Sequence, residues 1–250
     1  MAHRGIRIGN RRRKDMDGNI VRTCPYCGNP YPTITIPGLR GKPDRHIQSQ
    51  VCGCKASLEA KEAADRRRHQ EELVKAWRAT GVPARSFDVP PDFDGLRDMD
   101  FKGSLYLQGP KGSGKTTRAC GILKAYVSEG QRGGWVSARF VSVPDWLASM
   151  RCNWGSDEEN AYQVAAGCDF LVLDDLGKGK PTGWTMERIF RLVDTRYNNM
   201  RHTVFTSQYE LPELGEHCSV NGDVETAEAM VSRLHEMCGI VTFGGDDHRM

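Results

Sequence analysis

Gly109-Pro110-Lys111-Gly112-Ser113-Gly114-Lys115-Thr116-Thr117 is the stretch whose reading decides the fold. It follows the pattern G-x-x-x-x-G-K-[ST], with Gly109, Gly114, Lys115 and Thr116 at the fixed positions. Before it, Ser104-Leu105-Tyr106-Leu107-Gln108 reads as a short apolar strand. After it, Ala119, Ile122, Leu123, Tyr126 and Val127 recur at helical spacing. Strand, loop and helix in that order make a phosphate-binding loop. Glycines let several backbone N–H groups converge on phosphate oxygens. The helix N-terminus adds partial positive charge. Lys115 is expected on the β- and γ-phosphates, and the Thr116 hydroxyl on Mg²⁺.

Further along, Phe170-Leu171-Val172-Leu173-Asp174-Asp175 reads as a buried parallel strand that delivers two acids at its C-terminal edge. Asp174 is expected to hold Mg²⁺, and Asp175 to orient or deprotonate the attacking water. A strand-ending Asp-Asp turn is the bland reading, and the phosphate loop upstream weighs against it. Thr203-Val204-Phe205-Thr206 reads as a further strand, ending at Ser207-Gln208, polar groups suited to the γ-phosphate or the water.

Strands alternating with helices imply an α/β fold, a parallel sheet flanked by helices. Trp135–Val141 is a second strand, and Pro144-Asp145-Trp146-Leu147 opens a helix. Residues 151–167 are polar and read as loop carrying a short insertion. Met186, Ile189, Phe190, Val193 and Tyr197 give one amphipathic helix. Ala227, Met230, Val231, Leu234 and Cys238 give the last helix, and Ile240–Phe243 is the final strand.

The 250 residues suit one α/β domain and a small appendage. No apolar run reaches membrane-spanning length, and the first residues lack a signal-peptide core, so a cytoplasmic protein without a membrane partner is expected. The net charge of +3 conceals an asymmetry. Residues 1–80 hold 17 Lys and Arg against 8 Asp and Glu, and the remainder holds 18 against 24. A basic front end points to nucleic acid or an acidic protein as partner. Arg11-Arg12-Arg13-Lys14 is its sharpest cluster, equally compatible with a solvated tail.

That front end holds Cys24-Pro25-Tyr26-Cys27 and Cys52-Gly53-Cys54. Two close pairs of thiols can form one tetrahedral zinc site, structural because four thiolates leave no open position. The Pro- and Gly-rich span between them would be a hairpin too small to bury a core without a metal. His46 is an alternative ligand, and a redox dithiol at Cys24 and Cys27 is the rival chemistry. The other cysteines read as ordinary core or surface residues. Residues 57–80 form a linker helix charged nearly all round, which places a zinc module at 1–56 and the nucleotide-binding domain at 81–250. On position alone Arg233 is a surface helical arginine and Arg249 belongs to a frayed tail.

Together, Gly81-Val82-Pro83-Ala84-Arg85, the phosphate loop, Leu173-Asp174-Asp175-Leu176-Gly177, Thr206-Ser207-Gln208, Ser232-Arg233-Leu234 and Asp247-His248-Arg249 resemble the DnaC/DnaI/IstB group of AAA+ ATPases. Bacterial and phage replicative helicase loaders are the nearest in kind. The resemblance covers residues from about 75 to 250. It implies a Mg²⁺-dependent ATPase that works as a homo-oligomeric ring or spiral, loading a replicative DnaB-type helicase onto single-stranded DNA. It makes Arg233 a finger acting on a neighbour's γ-phosphate and Arg249 a sensor within its own subunit. Gln208 stands where the family usually has asparagine, and Asp175 where many AAA+ proteins have glutamate. The segment 143–166 falls where loaders insert a helix that steers assembly and touches single-stranded DNA; Arg151 is its one basic residue. The front end is similar to the zinc-bearing, helicase-binding domain of some loaders. A transposition helper of the IstB kind is the alternative. A small-molecule kinase is disfavoured, because neither a lid with catalytic arginines nor an acceptor pocket is visible.

Overall fold

The computed structural model describes residues 12–14, 20–38, 43–49, 52–99, 103–133, 137–152, 156–219 and 224–245. The chain divides into two compact units, residues 1–72 and 73–250.

The first unit holds two antiparallel strand pairs, β1 (Arg12–Lys14) with β2 (Ile20–Arg22) and β3 (Thr33–Ile36) with β4 (Arg45–Gln48). Helix α1 (Lys55–Ala79) follows and crosses the division between the units. The sequence boundary near residue 80 and the division at 72 differ for a packing reason. The last two turns of α1 carry Leu73, Val74 and Trp77, which pack into the core of the second unit.

The second unit is a five-stranded parallel sheet of β5 (Ser104–Gln108), β6 (Ala138–Ser142), β7 (Phe170–Leu176), β8 (His202–Ser207) and β9 (Cys238–Thr242), in the order β6-β7-β8-β5-β9. The chain leaves β5 for the far edge at β6, returns through β7 and β8, and passes β5 to reach β9. The order therefore reverses at β5, the point of an open sheet where ligands bind beyond the strand C-termini.

Both faces of the sheet are covered, which explains the unbroken apolar runs. Leu105, Leu107, Val172 and Val204 face one way, against α2 (Phe93–Arg97), α3 (Lys115–Gly133) and the end of α1. Tyr106, Leu171, Leu173 and Phe205 face the other way, against α4 (Val143–Cys152), α5 (Ser156–Gly167), α6 (Gly183–Asn198), α7 (Leu211–Cys218) and α8 (Val224–Met237).

Residues 151–152 and 156–167 are helical, not loop. They finish α4 and form α5, because Tyr162, Ala165 and Ala166 supply a short buried stripe against α6. The last helix ends at Met237, so Cys238 opens β9 instead of closing the helix. The fully buried Arg196 ties these parts together. Its guanidinium donates to the carbonyls of Ala165, Cys168 and His202 and to Thr203 Oγ1, satisfying orphan carbonyls at the end of α5.

Candidate functional site

The phosphate loop leaves the C-terminal end of β5 and runs into α3, whose first residue is Lys115. Gly109 and Gly114 have left-handed backbones (φ 140° and 90°), and a Cβ at Gly109 would overlap the Phe243 carbonyl oxygen. No other residue type fits that approach without displacing the end of β9. Lys115 Nζ lies back in the loop, donating to the carbonyls of Gly109 (2.7 Å) and Pro110 (2.6 Å) and to Ser113 Oγ (3.3 Å). Its ammonium thus sits within the cradle that phosphate oxygens would share. Pro110 and Lys111 form the turn, and Gly112 continues it with φ 80°.

Asp174 meets the loop. Its Oδ1 accepts from Thr116 Oγ1 at 2.9 Å and from Thr206 Oγ1 at 2.6 Å. Burial (4 % exposed) pushes the Asp174 carboxyl up; the Thr206 and Thr116 hydroxyls pull it down, the Asp175 charge raises it, and Arg85 lowers it. A hydroxyl and a carboxylate joined this way are hard oxygen donors of the kind Mg²⁺ takes.

Asp175 is placed by a bulge. Leu173 pairs with Phe205 and Leu176 with Ser207, so Asp174 and Asp175 together oppose Thr206. Asp175 takes φ 62°, a strained backbone for a non-glycine residue. Its N–H donates to Thr206 Oγ1 (2.9 Å) while that hydroxyl donates to Asp174. One threonine therefore fixes both acids. The Asp175 carboxylate accepts from Lys178 Nζ at 2.5 Å.

The remaining candidates are placed differently. Ser207 is occupied, its hydroxyl donating to the Leu176 carbonyl, and partly buried Gln208 follows at the end of β8. Arg233 binds its own chain: Nε donates to Asp194 Oδ1 (2.5 Å), Nη1 to the Ala229 carbonyl, and the guanidinium lies over Phe190. These partners are on α6 and α8, away from the loop. Thr117 lines a cleft of about 610 Å³ with Val89, Pro91, Ser113 and Arg118, beside the phosphate loop. Arg249 lies outside the described residues.

Sequence reading missed Thr206 as a site residue, and with it Lys124. The latter is fully buried on α3 and donates to the carbonyls of Ser86 (2.6 Å), Phe87 (2.7 Å) and Val89 (2.8 Å), below the Trp77 ring. Burial pulls its ammonium below the ordinary lysine value. The only sequence signal was a lysine interrupting an apolar helical stripe.

In the first unit Cys24, Cys27, Cys52 and Cys54 converge, their sulfurs all within 4.8 Å of one another. Sγ separations are 3.8 Å for Cys24–Cys54 and 3.5 Å for Cys27–Cys52. Zinc–thiolate bonds of about 2.3 Å in a tetrahedron put sulfurs about 3.8 Å apart, so the cluster fits zinc. Cys54 sits at the start of α1, its carbonyl accepting from Ser57 and Leu58; the Ser57 backbone N–H lowers its thiol, but burial and the Cys24 and Cys52 thiols raise it overall. The Cys24 thiol is lowered to about 7: burial raises it, but hydrogen bonds from the backbone of Cys27 and Tyr26 prevail. His46 instead pairs with Thr35 Oγ1 on the exposed hairpin.

The family profile described as IstB-like ATP binding protein matches residues 69–250. Phage-like element PBSX protein XkdC of Bacillus subtilis (strain 168) is 26 % identical over 152 residues, 59 % of this chain and 52 % of that protein. The uncharacterized protein YqaM of the same strain is 24 % identical over 170 residues, 64 % of this chain and 50 % of that protein. The chain spans about half the length of these curated relatives. Among solved structures, DnaI matches with a TM-score of 0.51 at 21 % identity, covering 65 % of this chain and 87 % of that one. The DnaC helicase loader matches with a TM-score of 0.51 at 23 % identity, covering 65 % and 100 %. At these identities the likeness is one of fold. Among the described residues no helix is long and apolar enough to cross a membrane.

Proposed function

The chain belongs to the IstB-like ATP-binding protein family, and from that premise we propose that it is an ATP-dependent loader of a replicative, DnaB-type helicase onto single-stranded DNA. The observation that carries the reading is the junction of Thr116, Asp174, Thr206 and Asp175 at the end of β7, in a chain whose first 80 residues are basic and cysteine-bearing.

In this reading the loop from Gly109 to Thr117 holds the triphosphate of ATP. Lys115 leaves the loop carbonyls for phosphate oxygens, and Thr116 and Asp174 hold Mg²⁺, which offsets phosphate charge. Asp175 orients the attacking water, with Gln208 beside it. Arg233 exchanges Asp194 for a neighbouring copy's γ-phosphate, so hydrolysis requires an assembled oligomer. Arg249 senses nucleotide within its own subunit. Zinc on the four cysteines holds residues 1–56 as the helicase-binding module, residues 57–80 link it, and residues 81–250 form the ATPase, working in the cytoplasm. ATP favours the assembled, DNA-gripping state, and hydrolysis releases it.

Capture of a replicative DnaB-type helicase by the full chain, with and without ATP, tests this. ATP-dependent association is expected, and its absence counts against a loader. The family match favours a second reading, a transposition helper. Capture of a transposase in place of the helicase would select it.

A further inference from the structure

Gly81-Val82-Pro83-Ala84-Arg85 has entered the site so far only through the charge of Arg85. Arg85 lies in a 3-10 turn, Ala84–Ser86, and shares a cleft of about 830 Å³ with Ser142, Asp145, Asp174, Asp175 and Lys178. No phosphate-loop residue is among those that line the cleft. The exposed Arg85 side chain makes no hydrogen bond or ion pair among the described residues, and its charge lowers the Asp174 carboxyl. The turn that presents it is nonetheless rigidly held, since Lys124 takes the carbonyls of Ser86, Phe87 and Val89. The cation that Asp175 does have, Lys178, forms a half-exposed ion pair three residues away, a kind of contact that contributes little.

We propose that Arg85 is a further positioning residue for hydrolysis: the turn whose carbonyls Lys124 holds presents it to the cleft, where its charge balances the Asp174–Asp175 pair. A planar, always-charged donor set suits this better than a lysine ammonium. The proposal rests on the ATPase reading. Nucleotide binding, through the loop and the cleft beside Thr117, is left untouched.

The test is steady-state turnover of the full chain as wild type, Arg85→Gln and Arg85→Lys, with melting midpoints for each. Arg85→Gln is expected to lower kcat about 10–100-fold with KM for ATP within about twofold and an unchanged midpoint. Arg85→Lys is expected to recover part of the loss. A kcat for Arg85→Gln within about twofold of wild type overturns the proposal. So does a raised KM at constant kcat, which would assign Arg85 to nucleotide binding, or a midpoint that falls in step with kcat, which would assign it to the fold. A wild-type chain with no turnover overturns the ATPase reading itself, and this inference with it.

Discussion

The two units hold themselves together by opposite means. The second buries both faces of a parallel sheet, with Leu105, Tyr106, Leu107, Leu171, Val172, Leu173, Val204 and Phe205 all at 1 % exposure or less. In the first, Ile34, Ile36 and Ile47 of the β3–β4 hairpin are exposed, and among its described residues the buried side chains are Thr23, Cys24, Cys52 and Ser57. A two-stranded hairpin without a covered face is marginal in water. What the first unit has in its place is four thiols in one cluster. One unit is specified by apolar area, and the other gathers thiols in a geometry that fits a metal.

The zinc proposed at that cluster sets the largest expected effect. Binding free energy at a structural zinc site, about 10–16 kcal/mol in small modules, is also folding free energy. Chelation, or Cys24→Ser, is expected to abolish the ordered structure of the first unit. The main thermal transition, from the second unit, should survive. Circular dichroism and differential scanning calorimetry read both. Loss of the main transition on chelation would mean that the two units share one source of stability.

The next effect sharpens the contrast from the other side. Inside the apolar unit, Lys124 is a buried cation with three carbonyl partners. Lys124→Met keeps most of the volume and leaves those carbonyls without their donor. A loss of about 3 kcal/mol is expected in denaturant titration. A loss below about 0.5 kcal/mol would show that the segment 86–89 is held by other contacts.

How far each region could be read from sequence follows from the same physics. The phosphate loop and the run from Phe170 to Asp175 are legible because their chemistry demands adjacent residues of set types. The cysteine pairs are legible because ligand spacing is local. The bonds of Thr206 and Lys124 are not, since each reaches residues distant in the chain. Helix α5 was hidden by a buried stripe of one tyrosine and two alanines in a polar segment. Helix α7 was hidden because Pro212 and Gly215 look like loop residues; Pro212 instead occupies the first turn, where its missing N–H costs nothing. The role of Arg233 toward a neighbour rests on resemblance alone, and its bond to Asp194 was visible by neither route.

A smaller effect is expected where the two acids are fixed. Thr206→Val deletes the donor to Asp174 and the acceptor for the Asp175 N–H. Turnover should fall about 10–100-fold, as for loss of an outer partner of a metal ligand. Thr206→Ser should retain most of it. Equal losses in both variants would assign Thr206 to packing and not to its hydroxyl.

The central claim is that the loop from Gly109 to Thr117 holds ATP with Mg²⁺. Equilibrium binding of a fluorescent ATP analogue to the full chain in excess Mg²⁺, with Lys115→Ala alongside, tests it most directly. Saturable binding by wild type, weakened about 100-fold or more in Lys115→Ala, is the predicted result. Absence of binding in wild type, or equal binding by both proteins, would contradict it.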